Sequence, residues 1–158
     1  MISVGKKLNL NFRLTIVQDG AVREVGFGEL LRRRTIVSVY MRNNTGSCDQ
    51  QNDSLAAHAD EFARAGYDLI AVSRDTPGSH LKYAAKKKIS YALASDPGDL
   101  FAKAADSIVE KSMYGRKFSG PARAAFVLEP DGTVLAVIEK IAPADHAAQL
   151  KTLLATLA

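Results

Sequence analysis

The chain is short of the residues that staple, cluster or anchor proteins. Its 158 residues include a single cysteine, Cys48, and no tryptophan. A lone thiol closes no intrachain disulfide, which excludes a disulfide-stapled secreted scaffold. It equally excludes a thiolate zinc cluster built within one chain. The three histidines, His58, His80 and His146, share no H-x-x-x-H spacing and form no metal motif. Neither a metal ion nor a cofactor is therefore expected. No apolar run approaches the roughly 18 residues of a membrane span. The segment Met1-Ile2-Ser3-Val4-Gly5-Lys6-Lys7 has no apolar stretch and no small-residue cleavage site, so a cytoplasmic protein is expected.

Charge of one sign is also scarce. Lys and Arg total 21 against 17 Asp and Glu, a formal net charge of +4. The dense basic runs are Arg32-Arg33-Arg34 and Lys86-Lys87-Lys88. Both fall at expected helix ends, where cations complement the helix dipole. No aromatic platform or binding motif accompanies them, so neither nucleic acid nor a membrane is expected as a partner.

What is present is an ordinary globular composition, 47% hydrophobic and 24% charged. The length matches about one domain, and no linker, repeat or low-complexity tract interrupts it. One domain, 1–158, is expected. Phe12 to Ile16 alternates apolar and polar residues, the period of a half-buried strand. Gln18-Asp19-Gly20 is a turn, and Ala21 to Val25 returns as the second strand of a hairpin. A short helix is expected over Glu29 to Arg33. Thr35 to Tyr40 is β-branched and apolar on both faces, which suits a central strand of a covered sheet.

The first long helix is expected over Asp49 to Ala65, with Leu55, Ala59 and Phe62 at helical spacing and Gly66 as its stop. Tyr67 to Ser73 is a second buried strand. Thr76 caps the next helix with Pro77 at its first position, and that helix runs to about Lys88. A strand at Tyr91 to Ala94 leads into Ser95-Asp96-Pro97 and a short helix ending at Ala105. Ala124 to Leu128 and Thr133 to Glu139 form a hairpin around Pro130-Asp131-Gly132. Asp145 to Leu157 closes the chain as a helix. Strands alternating with helices imply a three-layer α/β/α domain. Ending in a hairpin and a helix, it follows the thioredoxin-like pattern with an added N-terminal β-hairpin.

Cys48 lies just after a buried strand, where the chain turns into the long helix. Ligands and catalytic groups collect at such junctions of α/β sheets. Free helix N–H groups there favour an anion, here the thiolate. At a pKa near 8.5 only about 3% of a thiol is ionised at pH 7, and lowering it to about 6 gives roughly 90%. That change is worth about 3.4 kcal/mol. A helix end supplies at best about 2 kcal/mol, so a second positive group is required. An arginine about 4 Å away supplies the balance at an effective dielectric near 20. The run Asn43 to Asp53 is almost wholly polar, which argues for an accessible cysteine rather than a core one. His58 is no partner for it, since ten residues of helix span about 15 Å. The three histidines read as a helix-face residue at 58, an exposed first-turn residue at 80 and a helix-start residue at 146.

These residues stand in an order that resembles the peroxiredoxins, most closely the bacterioferritin comigratory protein (peroxiredoxin Q) subfamily. Val4-Gly5-Lys6-Lys7 with Phe12 and Leu14 is similar to the family's opening strand. Tyr40 to Gln51 matches its Tyr-Pro-x-x-x-Thr-Pro-Gly-Cys segment. Val72-Ser73-Arg74-Asp75 and Ala94-Ser95-Asp96 match its Ile-Ser-x-Asp and Leu-Ser-Asp segments. Glu110-Lys111, Gly115-Arg116-Lys117, Arg123 to Leu128 and Asp131-Gly132 follow in order.

The resemblance implies a thiol-dependent peroxidase that reduces hydrogen peroxide and organic hydroperoxides. It makes Cys48 the peroxidatic cysteine and Thr45 the threonine bonded to peroxide and thiolate. Arg123 becomes the arginine that keeps the thiolate ionised, and Gln51 and Ser47 become supports of the loop. The chain departs from the family pattern at Met41 and at Gly46-Ser47, which stand where the family has Pro and Pro-Gly. Asn9-Leu10 likewise replaces an opening Ala-Pro. Where relatives carry a resolving cysteine, this chain has Asp53 or, near the second position, Ala84. An external thiol, from thioredoxin, glutaredoxin or glutathione, is then the expected reductant. The resemblance further implies a monomer or a weak homodimer. The altered loop leaves one alternative, a redox sensor or partner-binding protein with weak peroxidase activity.

Overall fold

The computed structural model describes residues 1–157. The chain opens with β1 (Arg13–Gln18) and β2 (Ala21–Gly26), followed by a one-turn helix α1 (Phe27–Leu30). Asp19 and Gly20 both have positive φ, 53° and 75°, at the hairpin tip. That is the geometry of the tight turn an Asp-Gly pair favours. Next come β3 (Thr35–Val39), α2 (Gly46–Arg64), β4 (Asp68–Ser73), α3 (Pro77–Lys87), β5 (Ala92–Ser95) and α4 (Leu100–Ala104). The chain then forms β6 (Ile108–Met113), β7 (Arg116–Pro121), β8 (Ala125–Leu128) and β9 (Val134–Ile138). A 3-10 turn at Pro143–Asp145 leads into α5 (His146–Ala155).

Seven strands form one sheet in the order β2-β1-β5-β4-β3-β8-β9. β3, β4 and β5 run parallel, while β1 and β8 lie antiparallel against β5 and β3. The three parallel strands are buried on both faces, which is why they read as continuous apolar runs. Alternate residues of β3 feed opposite cores. Val37 and Val39 pack with Phe27, Phe101 and Phe126, whereas Ile36 packs with Leu55, Phe62, Leu93 and Leu150. This is a sheet between two helical layers, the architecture expected from the sequence. Thr76 caps α3 as expected, its hydroxyl accepting the Ser79 N–H at 3.2 Å.

Three local differences have physical causes. The first short helix is α1 at Phe27–Leu30 rather than Glu29 to Arg33, and the arginines follow it. Arg33 and Arg34 bond Asp68 and Glu129 at 2.8 Å each, so carboxylates rather than a helix dipole satisfy them. A hairpin, β6–β7, occupies Ile108–Pro121, where no strand was expected. Its β6 residues are mostly exposed, so no buried alternation marks them. Finally, α2 begins at Gly46, three residues before Asp49. That shift moves Cys48 into the helix.

Candidate active site

Thr45 is the N-cap of α2, with extended φ −123° and ψ 145°, so Gly46, Ser47 and Cys48 form the first helical turn. The amide groups of a first turn have no carbonyl to bind within the helix. From Cys48 the helical spacing places Gln51, Asn52 and Leu55 on the same face, and all four are buried. The accessible cysteine expected from its polar neighbours is therefore corrected: Cys48 is 1% exposed and lies beside Tyr40 in the core. Composition misled because a helix sorts residues by face. Gly46, Ser47 and Gln50 take the solvent side while Cys48 turns inward.

Burial pushes the Cys48 thiol pKa up, yet the net direction is down. The opposing groups are the Thr45 hydroxyl, the backbone N–H groups of Arg42 and Met41, and the positive charge of Arg123. The Thr45 hydroxyl also reaches the Arg42 carbonyl at 2.9 Å. It carries one proton, so donation to the carbonyl and donation to sulfur are alternatives. Ionisation of the thiol favours the second.

Arg123 stands just before β8. Its Nη1 donates to Gln51 Oε1 at 3.0 Å and its Nη2 to Ser47 Oγ at 3.4 Å. The guanidinium thus grips the first two turns of α2 on either side of Cys48. No carboxylate pairs with it among the described residues, and its positive charge lowers the Cys48 pKa. Gln51 is fully buried and donates onward to Ser38 Oγ at 2.8 Å and to the Val39 carbonyl at 3.2 Å.

The loop from Met41 to Thr45 is held without the family's proline. The Asn43 N–H donates to Asp75 Oδ2 at 2.9 Å, and its side-chain amide donates to Ser79 Oγ at 3.1 Å. The same amide lies 3.1 Å from His80 Nδ1, and the Tyr40 hydroxyl donates to Asn43 Oδ1. His80, expected to be exposed, is fully buried among these groups, and burial lowers its pKa. The cause is its place at the helix's inner face, one position from Ser79, which points to the loop. Met41 receives the Lys111 ammonium, with Nζ 2.7 Å from Sδ. Burial, then Arg123 and Arg74, push the Lys111 pKa down.

Further along α2, two tyrosines bond its polar residues. Tyr83 donates to Asp49 Oδ1 at 2.8 Å, and Tyr91 to Asn52 Oδ1 at 3.0 Å. Asp53 is exposed and pairs with Lys87 at 3.1 Å. Ala84 packs partly buried against the Cys48 side of the core. No group of histidine, cysteine, aspartate or glutamate among the described residues has the arrangement of a metal site. Sequence reasoning missed Ser38, Asn43, His80, Lys111 and His146. Ser38, His80, Lys111 and His146 lie on other elements and Asn43 in the loop before α2, and only the fold brings their side chains to that loop and helix. The one available signal was Ser38, a polar residue inside an otherwise apolar central strand.

A thioredoxin-type sheet that presents one ionisable cysteine in a helix's first turn, beside a threonine and an arginine, defines a thiol-based redox protein. The chain belongs to the AhpC/TSA family, which matches residues 4–137. It is 34% identical over 112 residues to peroxiredoxin Bcp of Xanthomonas campestris pv. campestris, covering 71% of this chain and 70% of that protein. A solved structure of Xanthomonas campestris peroxiredoxin Q superposes with a TM-score of 0.84 at 27% identity, covering 95% of each chain. Another, of the Xanthomonas campestris bacterioferritin comigratory protein studied for alkyl peroxide reduction, superposes with a TM-score of 0.85 at 25% identity, covering 98% of each chain.

Proposed function

We propose that this chain is a one-cysteine peroxiredoxin, a thiol-dependent peroxidase that reduces hydrogen peroxide and organic hydroperoxides through Cys48. The observation that carries the reading is geometric: Cys48 sits in the first turn of α2, next to the Thr45 N-cap and beside the Arg123 guanidinium that Gln51 and Ser47 hold, and these groups pull its pKa down despite burial. A thiolate is the nucleophile, and a thiol is not.

Cys48 Sγ attacks the distal oxygen of the hydroperoxide, and the O–O bond breaks. The S–O bond that forms leaves Cys48 as a sulfenic acid, and the departing oxygen takes a proton and leaves as water or an alcohol. Arg123 and the amides of the helix start stabilise the charge on that departing oxygen. Thr45, with its single movable proton, donates to the thiolate before attack and to the peroxide during it. Gln51 and Ser47 hold the guanidinium. Two equivalents of an external thiol then return Cys48 to the thiol with release of water and a disulfide, because the chain has no second cysteine. Thioredoxin, glutaredoxin and glutathione all supply that chemistry, which fits a cytoplasmic setting. The working unit implied by the resemblance is a monomer or a weak homodimer.

The competing reading is a redox sensor or partner-binding protein with weak turnover. What favours it is the 1% exposure of the sulfur. The second-order rate of Cys48 oxidation by hydrogen peroxide separates the two. A rate far above that of free cysteine supports the peroxidase, and a rate equal to free cysteine rejects it.

A further inference from the structure

Gln51, which holds Arg123, is itself held from behind, by groups on the central strand and the last helix on the same face of the sheet. Gln51 Nε2 donates to Ser38 Oγ at 2.8 Å, and Ser38 Oγ lies 2.9 Å from His146 Nε2. Ser38, Gln51 and His146 are each fully buried. They come from β3, α2 and the first residue of α5.

The direction of this chain is fixed at one end. A guanidinium only donates, so Gln51 presents its carbonyl oxygen to Arg123 and its NH2 to Ser38. Ser38 accepts from Gln51, and its own proton has no acceptor other than His146 Nε2 among the described residues, which assigns the hydroxyl as donor to that nitrogen. Three hydrogen bonds run the same way, from guanidinium to imidazole, an arrangement in which each bond polarises the next. With that assignment the imidazole is neutral and carries its proton on Nδ1. Burial pushes the His146 pKa down to about 4, consistent with that form.

The far nitrogen shows that this arrangement has a cost. His146 Nδ1 has no hydrogen-bond partner among the described residues. Nearby Gln149 raises the His146 pKa against burial, but its amide is engaged elsewhere, accepting from the Ala142 N–H at 2.9 Å and donating to the Lys140 carbonyl at 3.1 Å. An unpartnered buried polar atom is destabilising. An apolar side chain at position 146 would avoid that cost but would leave Ser38 without its acceptor.

We infer that His146 is a positioning residue for the peroxidase site: acting through Ser38 and Gln51, it fixes the orientation of the Arg123 guanidinium toward Cys48. The inference rests on the peroxidase reading of Cys48 but has a readout that needs no peroxide, the Cys48 thiol pKa.

The test compares Ser38→Ala, His146→Leu and His146→Gln in the full chain. Thiolate formation is followed by ultraviolet absorbance against pH, and kcat/KM for hydrogen peroxide is measured alongside it. Ser38→Ala and His146→Leu are expected to raise the Cys48 pKa and to lower kcat/KM about tenfold, the scale of one lost hydrogen bond. His146→Gln, whose amide oxygen reaches the place of Nε2, is expected to restore most of both. The effect of Ser38→Ala is expected to vanish in a Gln51→Met background. A folded Ser38→Ala or His146→Leu protein with unchanged pKa and rate overturns the inference, as does an undiminished effect without Gln51. Should His146→Leu fail to fold, Ser38→Ala alone decides. A wild-type protein with a low Cys48 pKa but no reaction with peroxide contradicts the peroxidase reading instead.

Discussion

Arg123 Nη1 lies 3.0 Å from Gln51 Oε1, and this contact ties the start of β8 to the second turn of α2. It sets the guanidinium beside the first turn, where Cys48 sits. The arithmetic of ionisation asks for a cation that a helix end alone cannot replace, and Arg123 is the cation that lowers the Cys48 pKa.

Arg123→Ala is expected to raise the Cys48 pKa and slow the reaction with hydrogen peroxide. Hydrogen bonds to charged groups are worth about 1.5–3 kcal/mol, so the expected loss in kcat/KM is about tenfold to a hundredfold. Stopped-flow kinetics and thiolate titration check both effects, with circular dichroism confirming the fold. An unchanged pKa would remove Arg123 from the site.

Thr45→Val keeps the shape of the side chain and removes its only proton donor. The expected result is a higher Cys48 pKa and a rate lower by about tenfold, with Thr45→Ser close to wild type. If both variants behave alike, the hydroxyl plays no part.

Gly46→Pro is expected to stabilise the protein by about 0.4–1 kcal/mol. Position 46 is the first of the helix, where proline's missing N–H costs nothing. Thr45 already has the extended conformation proline requires of its predecessor. A Cβ at position 46 meets no atom within 4 Å. The midpoint of urea unfolding checks this, and a destabilised variant would show that the loop needs the glycine's freedom.

The acid side of the stability curve carries the mark of His146. Its folded pKa of about 4 lies below the ordinary 6.5. Above 6.5 the imidazole is neutral in both states and there is no loss. As the pH falls from 6.5 toward 4 the unfolded chain takes up a proton that the folded chain refuses, so stability declines by up to about 1.4 kcal/mol per pH unit. His80, also lowered by burial, adds to the same decline. Urea midpoints measured against pH are expected to flatten in this window for His146→Gln. An identical slope in wild type and variant would contradict the buried neutral imidazole.

Much of the fold was legible because its central strands, Thr35–Val39 and Asp68–Ser73, must be apolar on both faces. Thr76-Pro77 and Asp19-Gly20 likewise carry their own local chemistry. The exposed hairpin Ile108–Pro121 was not legible, since its exposed residues carry no pattern of burial. Cys48, Thr45, Arg123, Gln51 and Ser47 could be named from the order of motifs. The burial of Cys48 could not, because a polar run becomes two-faced only once the helix starts at Gly46. Ser38 and His146 lie 108 positions apart, and nothing short of the folded sheet brings them to 2.9 Å.

The central claim is that the surroundings of Cys48 favour its thiolate although it is buried, and its own titration tests this most directly. Thiolate absorbance of the wild-type protein, with Cys48→Ser as the blank, gives the pKa without any substrate. The account predicts a value below the roughly 8.5 of free cysteine. A value at or above it would mean that burial outweighs Thr45, the two amides and Arg123, and would contradict the account.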